Sequence, residues 1–121
     1  MMSLVYIFFG GAFGAMLRYI LSTIFFGPKG ILLCNLLGCL AIGIMYSVIN
    51  SKFSFSKDMI NFITVGFLGS FTTFSTFSLN IYQLYIEKQI LFLIFYLTSS
   101  IIGGIIFLLI GMLVTDFIIK N

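Results

Sequence analysis

The chain has 121 residues, 61% of them hydrophobic and only 7% charged, with no histidine. Water-soluble domains carry about 25% charged residues, so this composition excludes a soluble globular domain and points to an integral membrane protein. Two cysteines without histidine make no zinc set, and single lysines scattered over short loops make no nucleic-acid stripe despite a net charge of +3.

The charges, Arg18, Lys29, Lys52, Lys57, Asp58, Glu87, Lys88, Asp116 and Lys120, fall mostly between or at the ends of four apolar runs at 4–26, 31–49, 59–85 and 90–119. A helix needs about 20 apolar residues to cross a bilayer, so the runs predict a single all-α membrane domain of four transmembrane helices. No basic residue precedes the first run, which is too long for a signal core, so no cleavable signal peptide is expected. Four spans place Lys52, Lys57 and Lys120 on one side, and Lys29 and Lys88 on the other. Counting Arg18 with the second group gives a tie. The positive-inside rule then fixes no orientation. Two readings stand: chance in a short chain, or dual topology with copies inserted both ways and paired antiparallel.

The first span carries Gly10, Gly11, Gly14 and Ala15 at four-residue spacings that let helix backbones approach closely. Arg18 continues that face. It either anchors or snorkels to the interface, or it lines an anion entrance with a fixed positive charge. Gly27-Pro28-Lys29-Gly30 reads as a tight turn holding the only proline. In the second span, Asn35 heads a face of small residues with Cys39 and Gly43. It reads either as an interhelical hydrogen-bonding residue or as an amide donor offered to an anion. Cys34 and Cys39 are five apart and point to different helix faces, so no disulfide is expected between them.

A polar loop follows, with Ser56 or Asp58 placed to cap the third helix. The third span then reaches Gly66-Phe67-Leu68-Gly69-Ser70-Phe71-Thr72-Thr73-Phe74-Ser75-Thr76-Phe77, and six of the nine residues from Thr72 to Asn80 are polar. Such a stretch cannot face lipid, because unsatisfied polar groups in hydrocarbon cost several kcal/mol each. It predicts a helix broken near Gly69 to Thr73, buried against protein or lining a wet path. Phe74 and Phe77, three apart, read as core packing by default. Interleaved with Ser75 and Thr76 they also present the partly positive ring edges that suit an anion. The break frees backbone carbonyls, which are hard ligands for a small cation. In the fourth span Tyr96 and Ser100 share a face at i and i+4. They either relay hydrogen bonds to an ion or satisfy backbone carbonyls. Asp116, near the end of that span, reads as interfacial.

The motifs Gly10-Gly11-x-x-Gly14-Ala15-x-x-Arg18-Tyr19, Asn35-x-x-Gly38, Gly66-x-x-Gly69-x-x-Thr72-Thr73-Phe74-Ser75-Thr76-Phe77 and Tyr96 with Ser100 together resemble the CrcB/Fluc family of fluoride channels, over essentially the whole chain. The resemblance implies an antiparallel dual-topology homodimer with two pores in a bacterial inner membrane. It implies passive, selective fluoride export that relieves fluoride toxicity. By position, Asn35, Phe74, Phe77, Ser75, Thr76, Tyr96 and Ser100 look like the fluoride pathway, and Arg18 like the vestibule arginine. The Gly69 and Thr72 carbonyls look like ligands of a central structural sodium ion. One departure stands out: Gly104 occupies a place where some relatives continue the hydroxyl track. The competing reading is a small multidrug-type four-helix transporter. Such proteins use a membrane-embedded glutamate in the first span, and no Asp or Glu lies in the first three predicted spans. A non-transporting assembly subunit would leave the polar third span without a purpose, and no acid, base or nucleophile constellation suggests an enzyme.

Overall fold

A computed structural model describes residues 1–51 and 53–120 of the chain. Among the described residues the regular structure is entirely helical. Four helical spans, Met2–Ile24, Pro28–Ile49, Lys57–Ile86 and Ile90–Lys120, are long and apolar enough to cross a membrane. The first two are single helices, α1 (Met2–Ile24) and α2 (Pro28–Ile49). The third comprises α3 (Lys57–Asn61), a π-helical segment π1 (Phe62–Leu68), α4 (Gly69–Phe71) and α5 (Ser75–Ile86). The fourth comprises α6 (Ile90–Thr98), a second π-helical segment π2 (Ser99–Gly103) and α7 (Gly104–Lys120).

The first junction is shorter than the sequence suggested. Pro28 opens α2 instead of ending α1, and Lys29 and Gly30 belong to the first turn of α2. The physical reason is that proline lacks only an N–H that a first helical residue leaves unpaired anyway, while its fixed φ suits the helix. The reversal falls on Phe26 and Gly27, both left-handed at φ 44° and 65°. At the second junction Ser56 is the cap, its hydroxyl accepting from the Met59 N–H at 3.2 Å. The third helical span therefore starts at Lys57 and takes in Asp58, whose carboxylate accepts from the Ser3 hydroxyl. That bond ties the start of α1 to the start of the third span. At the third junction Lys88 is left-handed, with φ 57°. Gln89 N–H donates to Leu84 O at 2.9 Å and Lys88 N–H to Tyr85 O at 3.1 Å. This pair of bonds is a Schellman ending built on lysine where glycine is usual.

Glycine lets the spans meet backbone to backbone. A β-carbon on Gly10 would lie 2.3 Å from Phe62 O, and one on Gly14 would lie 2.2 Å from Phe67 O, so α1 seats directly on π1. On the other side, a β-carbon on Gly43 would lie 2.2 Å from Leu108 O, and one on Gly111 would lie 2.3 Å from Leu40 O. The α2–α7 seam is completed by Ser47, whose hydroxyl donates to Met112 O at 3.2 Å. Small residues at such seams replace the hydrophobic drive that lipid does not supply. A buried cluster of Ile31, Phe77, Leu84 and Tyr96 joins α2, α5 and α6, with Leu32, Ile81, Phe92 and Leu93 packed around it. Cys34 and Cys39 are free thiols.

Candidate functional site

The site is the interruption of the third span. The helical ladder stops at Phe71, Thr72 is extended at ψ 159°, and the helix resumes at Ser75. Gly69 itself is right-handed helical, so the interruption falls on the threonines rather than the glycine. Thr72 turns both its N–H and its hydroxyl back on Leu68 O, at 3.1 and 3.0 Å. Thr73 loses its helical partners and is held from outside by Asn35. The Thr73 N–H donates to Asn35 Oδ1 at 2.9 Å, and Asn35 Nδ2 donates to Thr73 O at 3.2 Å. The carboxamide thus stands in for a backbone partner, meeting the requirement that buried peptide groups be paired. Thr73 then starts the next helix, its hydroxyl accepting from the Thr76 N–H at 3.2 Å in an N-cap arrangement. The same hydroxyl lies 3.2 Å from both Ser75 Oγ and Thr76 Oγ1. Ser75 and Thr76 of the predicted path are therefore knotted together through Thr73 at the head of α5.

Arg18 reaches the upstream half of the break. Its Nε donates to Ser70 O at 3.0 Å. Ser70 lies in the last turn before the interruption, where freed carbonyls and the negative helix end favour a cation. The carbonyls of Gly69 and Thr72 accept no hydrogen bond among the described residues. Gly38 makes room for the break, since a β-carbon there would lie 2.1 Å from Thr72 Cγ2. Gly38→Ala is expected to displace Thr72 and to cost about 1–3 kcal/mol, the usual range for overpacking. Thermal unfolding of the purified protein measures that loss, and an unchanged midpoint would refute the contact.

Beside the break lies a cleft of about 440 Å³ whose lining includes Asn35, Thr72, Thr73, Phe74, Phe77 and Ser100. Phe74 is 80% exposed and Phe77 only 6%, with ring centroids 5.7 Å apart and planes inclined at 45°. Phe77 in turn packs on Tyr96 at 5.3 Å. Tyr96 is fully buried, and its oxygen accepts from Asn80 Nδ2 at 3.1 Å. The Ser100 hydroxyl is buried with no partner among the described residues. At Gly104, where the hydroxyl track was expected to stop, a β-carbon would lie 3.3 Å from Cys39 Sγ, so the place is filled by packing. Asn35, Phe74, Phe77 and Ser100 thus share the cleft. Ser75 and Thr76 sit at its edge through Thr73, Tyr96 stands behind Phe77, and Arg18 braces the break from α1. Sequence reasoning missed Asn80, although its position three after Phe77 places it on the same helix face.

A family model described as "CrcB-like protein, Camphor Resistance (CrcB)" matches residues 5–112. The chain belongs to the CrcB family. It is 38% identical over 113 residues to "Fluoride-specific ion channel FluC 1" of Staphylococcus aureus (strain NCTC 8325 / PS 47), covering 91% of this chain and 93% of that protein. It is 39% identical over 113 residues to "Fluoride-specific ion channel FluC 2" of Staphylococcus saprophyticus, with the same coverage of 91% and 93%. With "Fluoride-specific ion channel FluC" of Francisella tularensis it shares 38% identity over 111 residues, 84% of this chain and 85% of the other. The CrcB match takes in the interruption, Asn35, Arg18 and the fourth-span hydroxyls.

Proposed function

We propose that this multi-pass membrane protein is a fluoride-selective ion channel of a bacterial inner membrane, passively exporting cytoplasmic fluoride and so relieving its toxicity. The observation that carries the reading is the cleft at the interruption, whose lining brings amide and hydroxyl donors and two phenylalanine rings together without a carboxylate. Asn35 spends one amide hydrogen on Thr73 O, and its second has no protein acceptor among the described residues. The Ser100 hydroxyl has no partner either. A small anion leaving water needs such donors in place of its hydration shell. Rings seen edge-on add weak positive charge at little desolvation cost. The multidrug-transporter alternative lacks its chemistry: no acid lies on α1, and Asp58 sits at a helix start, engaged by Ser3.

The functional unit in this reading is an antiparallel, dual-topology homodimer with two pores. The near-even lysine count supports it, as does the exposure of Phe74 and Gly69 beside the break, a face that a second copy would cover. The Gly69 and Thr72 carbonyls fit a structural sodium ion. They are hard oxygens left unpaired, and Gly69 carries no side chain to crowd them. One chain offers two such oxygens, too few for a hard cation, so a second copy would complete the set. The ion would be held by these carbonyls and would supply a fixed positive charge beside the break.

The test is fluoride release from liposomes holding the purified protein, with potassium made permeant to balance charge and chloride run in parallel. Rapid fluoride release without chloride release is expected. No release from protein shown to be dimeric would overturn the reading. Phe77→Ile keeps an apolar side chain of similar reach but removes the ring edge. It is expected to lower fluoride flux by about tenfold or more while the protein stays dimeric, the scale of one aromatic contact of about 1.5 kcal/mol. Unchanged flux would leave Phe77 a packing residue only.

A further inference from the structure

Asn80 is a polar side chain where the fold has no structural need of one. It is 6% exposed, on the face of α5 that packs against α6, between the buried apolar residues Phe77 and Leu84. A leucine there would extend the apolar row without any polar group to satisfy. The carboxamide instead meets another buried polar group, with Nδ2 donating to the Tyr96 oxygen at 3.1 Å. Tyr96 is 0% exposed. Its hydroxyl has one proton and can both donate and accept. Because its oxygen accepts from Asn80, its proton is directed elsewhere, and among the described residues it finds no acceptor. One turn along the same face, the Ser100 hydroxyl is also buried and unpartnered. Two buried hydroxyl protons lacking acceptors on one helix face call for an acceptor-only ligand, and an anion is such a ligand.

We infer that Asn80 is a positioning residue for anion passage: it donates to the Tyr96 oxygen and thereby keeps the phenolic proton turned toward the ion. The inference rests on the channel reading above and deepens it. Asn80 need not touch the ion. Its part is to fix which way a hydroxyl points, so that the donor is already aimed when the anion arrives and no reorientation is needed in transit. A second consequence concerns extent. Asn80 lies one turn beyond Phe77 toward the Glu87–Gln89 turn, so the polar path continues past the aromatic ring instead of ending at it.

A purely structural role makes a different prediction, and a mutant cycle separates the two. Asn80→Leu leaves the Tyr96 hydroxyl buried without its partner, and Tyr96→Phe leaves the Asn80 amide in the same position. Each single variant is therefore expected to unfold at lower temperature than the wild type. The double variant removes both polar groups together, which is close to neutral for stability, so its unfolding midpoint should return toward that of the wild type. If Asn80 and Tyr96 only satisfied each other, fluoride release by the double variant would recover along with stability. If Asn80 aims the phenolic proton, release stays depressed in all three variants by about tenfold or more, the scale of one hydrogen bond to a charged group. Recovery of release in a stable double variant overturns the inference. Wild-type protein that releases no fluoride overturns the channel reading itself, which keeps the two failures distinct.

A spectroscopic arm applies even where a variant folds poorly. Fluoride added to wild-type protein, with chloride as the control, should produce a near-ultraviolet tyrosine difference signal as the phenolic proton gains an acceptor. The signal should vanish in Tyr96→Phe. A signal that persists in Tyr96→Phe, or is absent from conducting wild-type protein, overturns the assignment.

Discussion

Asn35→Asp is expected to abolish fluoride conduction while sparing much of the fold. The carboxylate keeps the acceptor that Thr73 N–H uses at 2.9 Å but loses the amide that donates to Thr73 O. It also places a negative charge in the lining of the cleft. Two like charges about 4 Å apart repel by about 4 kcal/mol at an effective dielectric near 20, which corresponds to roughly a thousandfold in rate. Liposome efflux reads the loss directly. Asn35→Ala is the informative companion. It removes the clamp without adding charge, leaves both Thr73 peptide groups unpaired at about 1–3 kcal/mol each, and should lower the unfolding temperature more than Asn35→Asp does. Rapid fluoride release through well-folded Asn35→Asp would confine Asn35 to holding the backbone.

Gly14→Leu is expected to damage the protein most in stability. The β-carbon alone would meet Phe67 O at 2.2 Å, and the obstacle is backbone, which cannot swing away as a side chain can. Seating α1 and π1 apart costs about 3 kcal/mol or more. Arg18 lies one turn further along α1, so the same displacement pulls its guanidinium from Ser70 O. A loss of monodisperse protein in detergent, or a large drop in unfolding temperature, is the expected observation. A variant as stable as the wild type would show that α1 does not seat on the third span in this way. Ala12→Ser, at an exposed position of the same helix, serves as the control.

The four spans were legible because length, apolarity and charge placement are local properties of a run of residues. The interruption was legible in kind, since the polarity of 72–80 is incompatible with lipid wherever it lies. Its position was less so: glycine marks permissive backbone, but Gly69 stays helical while Thr72 is extended. What takes Thr72 and Thr73 out of the ladder is partners distant in sequence, Asn35 above all, and pairing across 38 residues has no local signature. The turn at Glu87-Lys88 was legible from the charges between two apolar runs, but its Schellman form was hidden for a related reason. A Schellman turn is announced by glycine, and here a lysine adopts the left-handed conformation without it. The reading of Gly27-Pro28-Lys29-Gly30 as a turn ran too far along the chain, because a proline that cannot continue one helix suits the first position of the next. Asn80 passed unnoticed because its role depends on Tyr96 across the α5–α6 contact, which only the fold brings together.

The π-helical segments make residue count part of the specification of the third and fourth spans, alongside composition. A π-turn closes from i to i+5 where an α-turn closes from i to i+4, so it holds one residue more than an α-helix needs to reach the same downstream face. Losing one residue within Phe62–Leu68 or Ser99–Gly103 therefore lets the segment close to α-helix with the following side chains facing as before. An α-helical stretch has no such outlet. One residue lost from α7 ahead of Gly111 turns the helix by about 100° and takes the glycine from Leu40 O, which a β-carbon at that place would approach to 2.3 Å. Single-residue deletions should therefore be tolerated better inside the two π-helical segments than in the α-helical stretches beside them.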